Sequence, residues 1–290
     1  MAASTQNSPS PPAQTELEAW FDADPMQRPL LIIGGPCVLE SEEVNLRIAH
    51  CLAEACEDLG LPYVFKASFD KANRSSGSSH RGPGLEKGIE QLAAIGEAVG
   101  APTCTDVHES GQVHSVAQHI NLLQIPAFLS RQTDLLVAAA ESGRPINVKK
   151  GQFMAPLEMA NVINKVNSAG GTRLMLTERG TFFGYNRLIN DFVGLGDLMD
   201  LAADHKCPVC FDVTHSTQLP GGDGTSSGGR PDRAPLLLAA AAASGVDALF
   251  LECHPDPPNG LSDSATMLPL SLVPGLLRTA LRVRKAASTD

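Results

Sequence analysis

The chain has 290 residues, 43% of them hydrophobic, which is enough for one large core or two small ones and excludes disorder as its main state. Its 22 Lys and Arg against 32 Asp and Glu leave a formal charge of −10, which excludes a broad electrostatic grip on nucleic acid or an anionic membrane but not local cation clusters for small anions. No run of about 18 apolar residues could span a bilayer and the N-terminus lacks the basic-then-apolar order of a signal peptide, so the expectation is a cytoplasmic protein with a small-molecule partner.

In chain order, residues from Met1 to about Gln27 are rich in Ser, Pro, Ala and Gln and poor in large apolar side chains. They offer too little buried surface to offset the entropy of ordering, so a mobile tail is expected over 1–27 and a single folded domain over 28–290. Beyond the tail, short apolar runs alternate with stretches of helical period. Strands are predicted at Leu30–Cys37, Tyr63–Ala67, Pro102–Val107, Leu122–Ala127, Ile146–Lys149, Arg173–Thr177, Pro208–Thr214 and Ala248–Glu252. Helices are predicted at Glu42–Leu59, Gly84–Val99, Gln132–Ser142, Pro156–Ala169, Leu188–Ala203, Ala234–Ala243 and Ser271–Arg284, with a shorter one near Gly111–Val116. Eight βα units match the rhythm of a (β/α)8 TIM barrel, an α/β fold for which about 250 residues is typical. An open doubly wound sheet is the alternative, since no sequence shows closure directly. The seven cysteines are odd in number and spread through apolar segments, which predicts reduced core thiols. That includes Cys207-Pro-Val-Cys210, because residues three apart on a strand point to opposite faces.

Nearly every predicted strand ends in polar residues. In order come Cys37; Lys66 with the loop Lys71-Ala72-Asn73-Arg74; Asp106 with His108 and Glu109; Gln124; Lys149 with Lys150; Glu178 with Arg179; Asp212 with His215; and Glu252 with His254. In a barrel these positions gather at the C-terminal mouth, where the chemistry of such folds sits. Lys66, Lys71, Lys149 and Arg179, with Arg74 and Arg131 on loops, could neutralise phosphate and carboxylate groups. The competing reading pairs them with Asp106, Glu178 or Glu252; the anion site is preferred. The long segment Ser216–Arg230, with its glycine and serine runs, reads as a lid or a phosphate-contacting loop.

Cys37, His215, Glu252 and Asp263 lie at or just beyond strand ends and offer a thiolate, an imidazole and two carboxylates to a divalent metal. There is no compact ligand signature such as CxxC or HExxH. On spacing alone the blander reading, a buried Cys37 and a His215 bonded to backbone, is preferred.

Four longer stretches change that balance. Phe65-Lys66-Ala67-Ser68-Phe69-Asp70-Lys71-Ala72-Asn73-Arg74-Ser75-Ser76, Gln124-Ile125-Pro126-Ala127-Phe128-Leu129 followed by Arg131-Gln132-Thr133-Asp134, Asn147-Val148-Lys149-Lys150-Gly151-Gln152-Phe153 and Thr177-Glu178-Arg179-Gly180 resemble 3-deoxy-D-manno-octulosonate 8-phosphate synthases. The resemblance runs from about Pro29 to about Arg284. It implies a (β/α)8 barrel, a homotetramer, and condensation of phosphoenolpyruvate with D-arabinose 5-phosphate to feed lipopolysaccharide or a related envelope glycan.

The family divides at the end of the first strand, where metal-dependent members carry Cys and the others Asn. Gly34-Gly35-Pro36-Cys37 is similar to the metal-dependent class, and the resemblance implies His215, Glu252 and Asp263 as the other ligands. The metal could be iron, zinc, manganese, cobalt or cadmium. The resemblance further implies that Lys66, Lys71, Lys149 and Arg179 hold phosphoenolpyruvate, with Gln124 and the backbone of Ala127 nearby. Asn73, Arg74 and Ser75 would hold arabinose 5-phosphate, and Arg131 would reach its phosphate across a subunit boundary. Lys71, with Cys37 and His215, is the expected catalytic set. The loop end Ser227-Gly228-Gly229-Arg230-Pro231-Asp232-Arg233 departs from the pattern, so no role follows for Arg230 or Arg233.

Three rival readings stay open on the residues alone. They are a sister synthase using another acceptor such as erythrose 4-phosphate or N-acetylmannosamine, a Schiff-base aldolase on Lys149 or Lys150, and a non-catalytic phosphosugar-binding barrel.

Overall fold

Alternation along the apolar runs decides the architecture. In the first run Leu30 and Ile32 pack outward among helix residues, while Leu31 and Ile33 join a separate interior cluster, as a period of two requires. A computed structural model describes residues 12–73, 77, 79–222 and 227–288. Its principal strands are β1 (Leu31–Gly35), β2 (Tyr63–Lys66), β3 (Thr103–Asp106), β4 (Leu122–Ile125), β5 (Ile146–Lys149), β6 (Leu174–Glu178), β7 (Val209–Asp212) and β8 (Ala248–His254). Each pairs in parallel with its sequence neighbour, and β1 also pairs with β8 in the register Ile32↔Leu249. The sheet is closed, so the open doubly wound alternative is excluded and the fold is a (β/α)8 barrel.

The helices that follow the strands are α2 (Glu42–Leu59), α3 (Leu85–Val99), α4 (Ser110–Ala117), α5 (Thr133–Glu141), α6 (Met159–Ser168), α7 (Phe192–Asp204), α8 (Ala234–Ser244) and α9 (Val273–Ala287). Their ends are chemically marked. Ser41 accepts the Val44 N–H to start α2, and Gly60 at φ +64° closes it, a conformation glycine adopts without a Cβ penalty. No described helix is long and apolar enough to cross a membrane.

Inside the barrel the same alternation stacks an apolar floor beneath a polar layer. Val64 and Lys66, Cys104 and Asp106, Leu122 and Gln124, Cys210 and Asp212, and Phe250 and Glu252 are pairs two residues apart. The first of each joins the interior apolar cluster and the second is a buried polar group. The last residue of β1 is glycine because a Cβ at Gly35 would fall 2.1 Å from the Lys66 carbonyl oxygen.

Two expectations are corrected. Residues 12–22, assigned to a mobile tail, form helix α1 (Pro12–Asp22), whose Leu17, Trp20 and Phe21 join the interior cluster with Leu31 and Phe250. Composition counts few apolar residues there but cannot show the open end of a barrel that those three seal. The Trp20 indole N–H donates to Pro29 O at 2.8 Å, and Arg28 bonds the carbonyls of Trp20, Phe21 and Ala23 and pairs with Asp247 at 3.2 Å. Residues 1–11 of the expected tail lie outside the described residues. The predicted helix from Leu188 is also late. Leu188–Ile189 pairs antiparallel with Thr181–Phe182, and α7 begins only after Asp191, whose side chain accepts the Val193 N–H.

Candidate active site

Lys66 anchors the polar layer. Its Nζ lies 3.2 Å from Asp106 Oδ2, 3.2 Å from Glu252 Oε1 and 3.1 Å from Ser68 Oγ. Burial works against its charge, but Asp106 and then Glu252 more than reverse that, so its pKa is raised. Asp106 is likewise buried, yet Lys66 holds its carboxyl well below the ordinary range. Gln124 donates to Asp106 Oδ1 at 2.7 Å and accepts from Asn147 at 3.0 Å, and Asn147 accepts from Thr177 at 2.5 Å. This chain spans four strands and leaves no polar atom of Gln124 idle.

Lys149 is the second interior cation. It pairs with Asp212, which also bonds His215 Nδ1 at 2.7 Å. Its Nζ sits 3.4 Å from the centroid of the Phe250 ring, and Lys66 sits 5.4 Å away. Phe250 is therefore an electron-rich floor under both cations. Lys150, the next residue, points away. It is fully buried against Met154 O at 3.0 Å, Thr181 Oγ1 at 3.1 Å and Glu178 Oε2 at 3.5 Å, which makes it a pin between two loops.

Arg179 is 4% exposed and bonds Gln218 through Nη2, while its Nη1 is buried with no hydrogen-bond partner among the described residues. A guanidinium that gives up water without a partner suits an incoming anion. Lys71 is partly buried, and its charge acts on Cys37, Asp106 and Glu252, so it belongs to the same mouth.

The four donors that sequence spacing left weak do converge. One ligand atom each from Cys37, His215, Glu252 and Asp263 lies within 4.8 Å of the others. Cys37 Sγ is 3.1 Å from Asp263 Oδ2, and His215 Nε2 is 3.4 Å from Glu252 Oε2 and 3.7 Å from Asp263 Oδ2. Glu252 Oε2 is buried and accepts no hydrogen bond among the described residues. Burial, and then Asp263 and Glu252, push the Cys37 thiol well above its ordinary value. A thiol crowded by two carboxylates fits a divalent cation, which offsets that repulsion and takes sulfur, nitrogen and oxygen ligands together.

The remaining expected residues are less constrained. Asn73 is exposed, and Arg74 and Ser75 lie outside the described residues. Residues 223–226 of the long loop lie outside them too, whereas its base is a short pairing of Gln218–Leu219 with Gly228–Gly229. Ala127 is buried at the start of a 3-10 turn, and Arg131 is exposed just beyond it. Sequence reasoning passed over Ser68, Asn147 and Thr177; their position two or so residues from the named strand-end groups was the available signal.

Residues 25–286 match the model of the family described as DAHP synthetase I. The chain belongs to that family. It is similar to a protein named 2-dehydro-3-deoxyphosphooctonate aldolase from Synechococcus sp., at 51% identity over 260 residues covering 90% of each chain. Proteins of the same name from Desulfotalea psychrophila and Polaromonas naphthalenivorans share 51% and 48% identity, covering 89% and 91% of this chain and 91% and 94% of theirs.

Proposed function

We infer that this member of the DAHP synthetase I family condenses phosphoenolpyruvate with D-arabinose 5-phosphate and water, giving 3-deoxy-D-manno-octulosonate 8-phosphate and inorganic phosphate. The observation that carries the reading is the gathering of Lys66 and Lys149 over Phe250, with the buried Arg179 near enough for Asp212 and Glu252 to act on its charge, beside relatives named 2-dehydro-3-deoxyphosphooctonate aldolase at about half identity. Two phosphorylated substrates and a carboxylate can approach one another only where fixed cations offset their repulsion.

In the proposed chemistry, C3 of the enol forms a bond to the aldehyde carbon of the open-chain sugar. Water adds to C2, and the C2–O bond to phosphate breaks, releasing it. Lys66, Lys149 and Arg179 hold the carboxylate and phosphate of phosphoenolpyruvate, with Gln124 and Ala127 shaping the layer beside them. Lys71 supplies a proton near C3 or steadies the charge there. Asn73, Arg74 and Ser75 take the sugar phosphate, and Arg131, exposed beside the half-exposed Phe128, reaches it from a neighbouring copy in a homotetramer.

Cys37, His215, Glu252 and Asp263 would hold a divalent ion of the metal-dependent class. Such an ion supplies Lewis acidity to the aldehyde oxygen or to the added water. The free state of all seven cysteines suits the cytoplasm.

Product analysis tests the acceptor. Arabinose 5-phosphate should give stoichiometric phosphate and an eight-carbon product. Faster turnover with erythrose 4-phosphate would instead assign the sister activity.

A further inference from the structure

Asp263 adopts φ +47°, a left-handed conformation that residues with a Cβ rarely occupy and that Asp tolerates better than most, and hydrogen bonds on both sides of it fix the turn. After it, Asp263 O accepts from Thr266 N at 2.9 Å and Thr266 Oγ1 at 3.0 Å. Before it, the Leu261 N–H donates to Glu40 Oε1 at 3.0 Å. The other oxygen of Glu40 faces His254 Nε2 at 3.3 Å. His254 Nδ1 accepts the Asp256 N–H at 3.0 Å, so the ring proton sits on Nε2 and points at Glu40.

Glu40 is itself clamped. The buried Asn45 of α2 accepts from the Glu40 N–H and donates to the Glu40 carbonyl, both at 3.1 Å. The Glu40 side chain is 7% exposed. One carboxylate thus ties the loop that bears Cys37 to both ends of the segment 254–261, which leads directly into Asp263.

We propose that Glu40 is a positioning residue for the metal centre. Through the Leu261 N–H and the His254 ring it holds Asp263 beside Cys37 and so sets how tightly the four ligands grip a divalent ion. The inference rests on the metal reading above. It also explains why a carboxylate is needed: both oxygens face donors, so the amide of Glu40→Gln turns its NH2 toward one of them whichever way it is flipped.

The test is titration of the metal-stripped full chain with Co2+, read by the thiolate-to-cobalt charge-transfer absorption. The wild type gives the band and Cys37→Ala does not. Glu40→Gln gives the band at saturation but binds about 3- to 10-fold more weakly, less than the roughly 10- to 100-fold cost of losing a group bonded directly to a metal ligand, because Glu40 acts through Leu261 and His254. The exposed Glu42→Gln binds as the wild type does. Hydrogen exchange of the Leu261 amide quickens in metal-free Glu40→Gln, and urea midpoints separate general destabilisation from the loss of affinity.

Unchanged Co2+ affinity in Glu40→Gln overturns the proposal while leaving the metal site standing. No band in the wild type overturns the metal reading and this inference with it. Should Glu40→Gln fail to fold, His254→Ala carries the test, since it removes one tie and leaves the other. Weaker Co2+ binding is again expected, and unchanged binding overturns the proposal.

Discussion

Truncating Trp20 to alanine tests whether helix α1 belongs to the barrel. The side chain is 6% exposed. A buried tryptophan removes on the order of 150–250 Å² from water, which at about 25 cal/mol/Å² is roughly 4–6 kcal/mol as an upper bound. Measured Trp→Ala substitutions in cores cost about 3–5 kcal/mol. The lost N–H bond to Pro29 O contributes about 1 kcal/mol of that order. A ceiling also applies, because α1 can detach as a unit, and the loss then equals its docking free energy. The expected cost is therefore about 4 kcal/mol, and with a urea slope of about 3 kcal/mol/M the midpoint falls by about 1.3 M. Phosphate release per folded molecule stays within about two-fold of wild type, because α1 lies at the end of the barrel opposite the Lys66 layer and distant sites act independently. A midpoint shift below about 0.2 M would show that α1 is not docked on the barrel.

Lys150→Met removes the buried partner of Glu178 and should cost about 3 kcal/mol in urea. Borohydride added with both substrates should trap no adduct on Lys149 or Lys150, and a trapped adduct seen by mass spectrometry would restore the Schiff-base reading. Gly229→Ala places a Cβ 2.4 Å from Ala265 O and Thr266 Cγ2, which pushes on the loop bearing Asp263, so Co2+ binding should weaken; unchanged affinity would show that the two loops move independently. Burial pushes the Cys207 thiol up to about 11, so it holds its proton at pH 8. Its thiolate fraction there is roughly two orders of magnitude below that of an ordinary cysteine. Alkylation should accordingly be slow at pH 8 and quicken about tenfold per unit toward pH 10; fast labelling at pH 8 would contradict the burial.

The barrel was legible because its strands repeat one pattern, apolar residues closing on a polar end, and a two-residue period carries that pattern into layers. The same period distinguishes Lys149 from Lys150: Lys149 shares the inward face with Asn147, and Lys150 does not. What stayed hidden depends on contacts between distant segments. Trp20 reads as part of a polar tail until Leu31 and Phe250 stand above it. Glu40 precedes a helix cap and looks like a solvated charge until Leu261, 221 residues on, donates to it. The hairpin at Thr181–Ile189 did carry a local sign, since Gly184 and Asn186 both take positive φ, as tight turns require. For the cluster at Cys37, spacing was uninformative because three of its donors come from loops after β1, β7 and β8 and the fourth, Glu252, from β8 itself, which only closure of the barrel brings together.

The most direct test is phosphate release from phosphoenolpyruvate plus arabinose 5-phosphate, measured before stripping with a chelator, after it, and again as divalent metals are restored one at a time. Activity should be lost on stripping, return with metal, and fail to return in Cys37→Ala. Full activity in the stripped protein would contradict the metal centre, and no phosphate release under any condition would contradict the condensation itself.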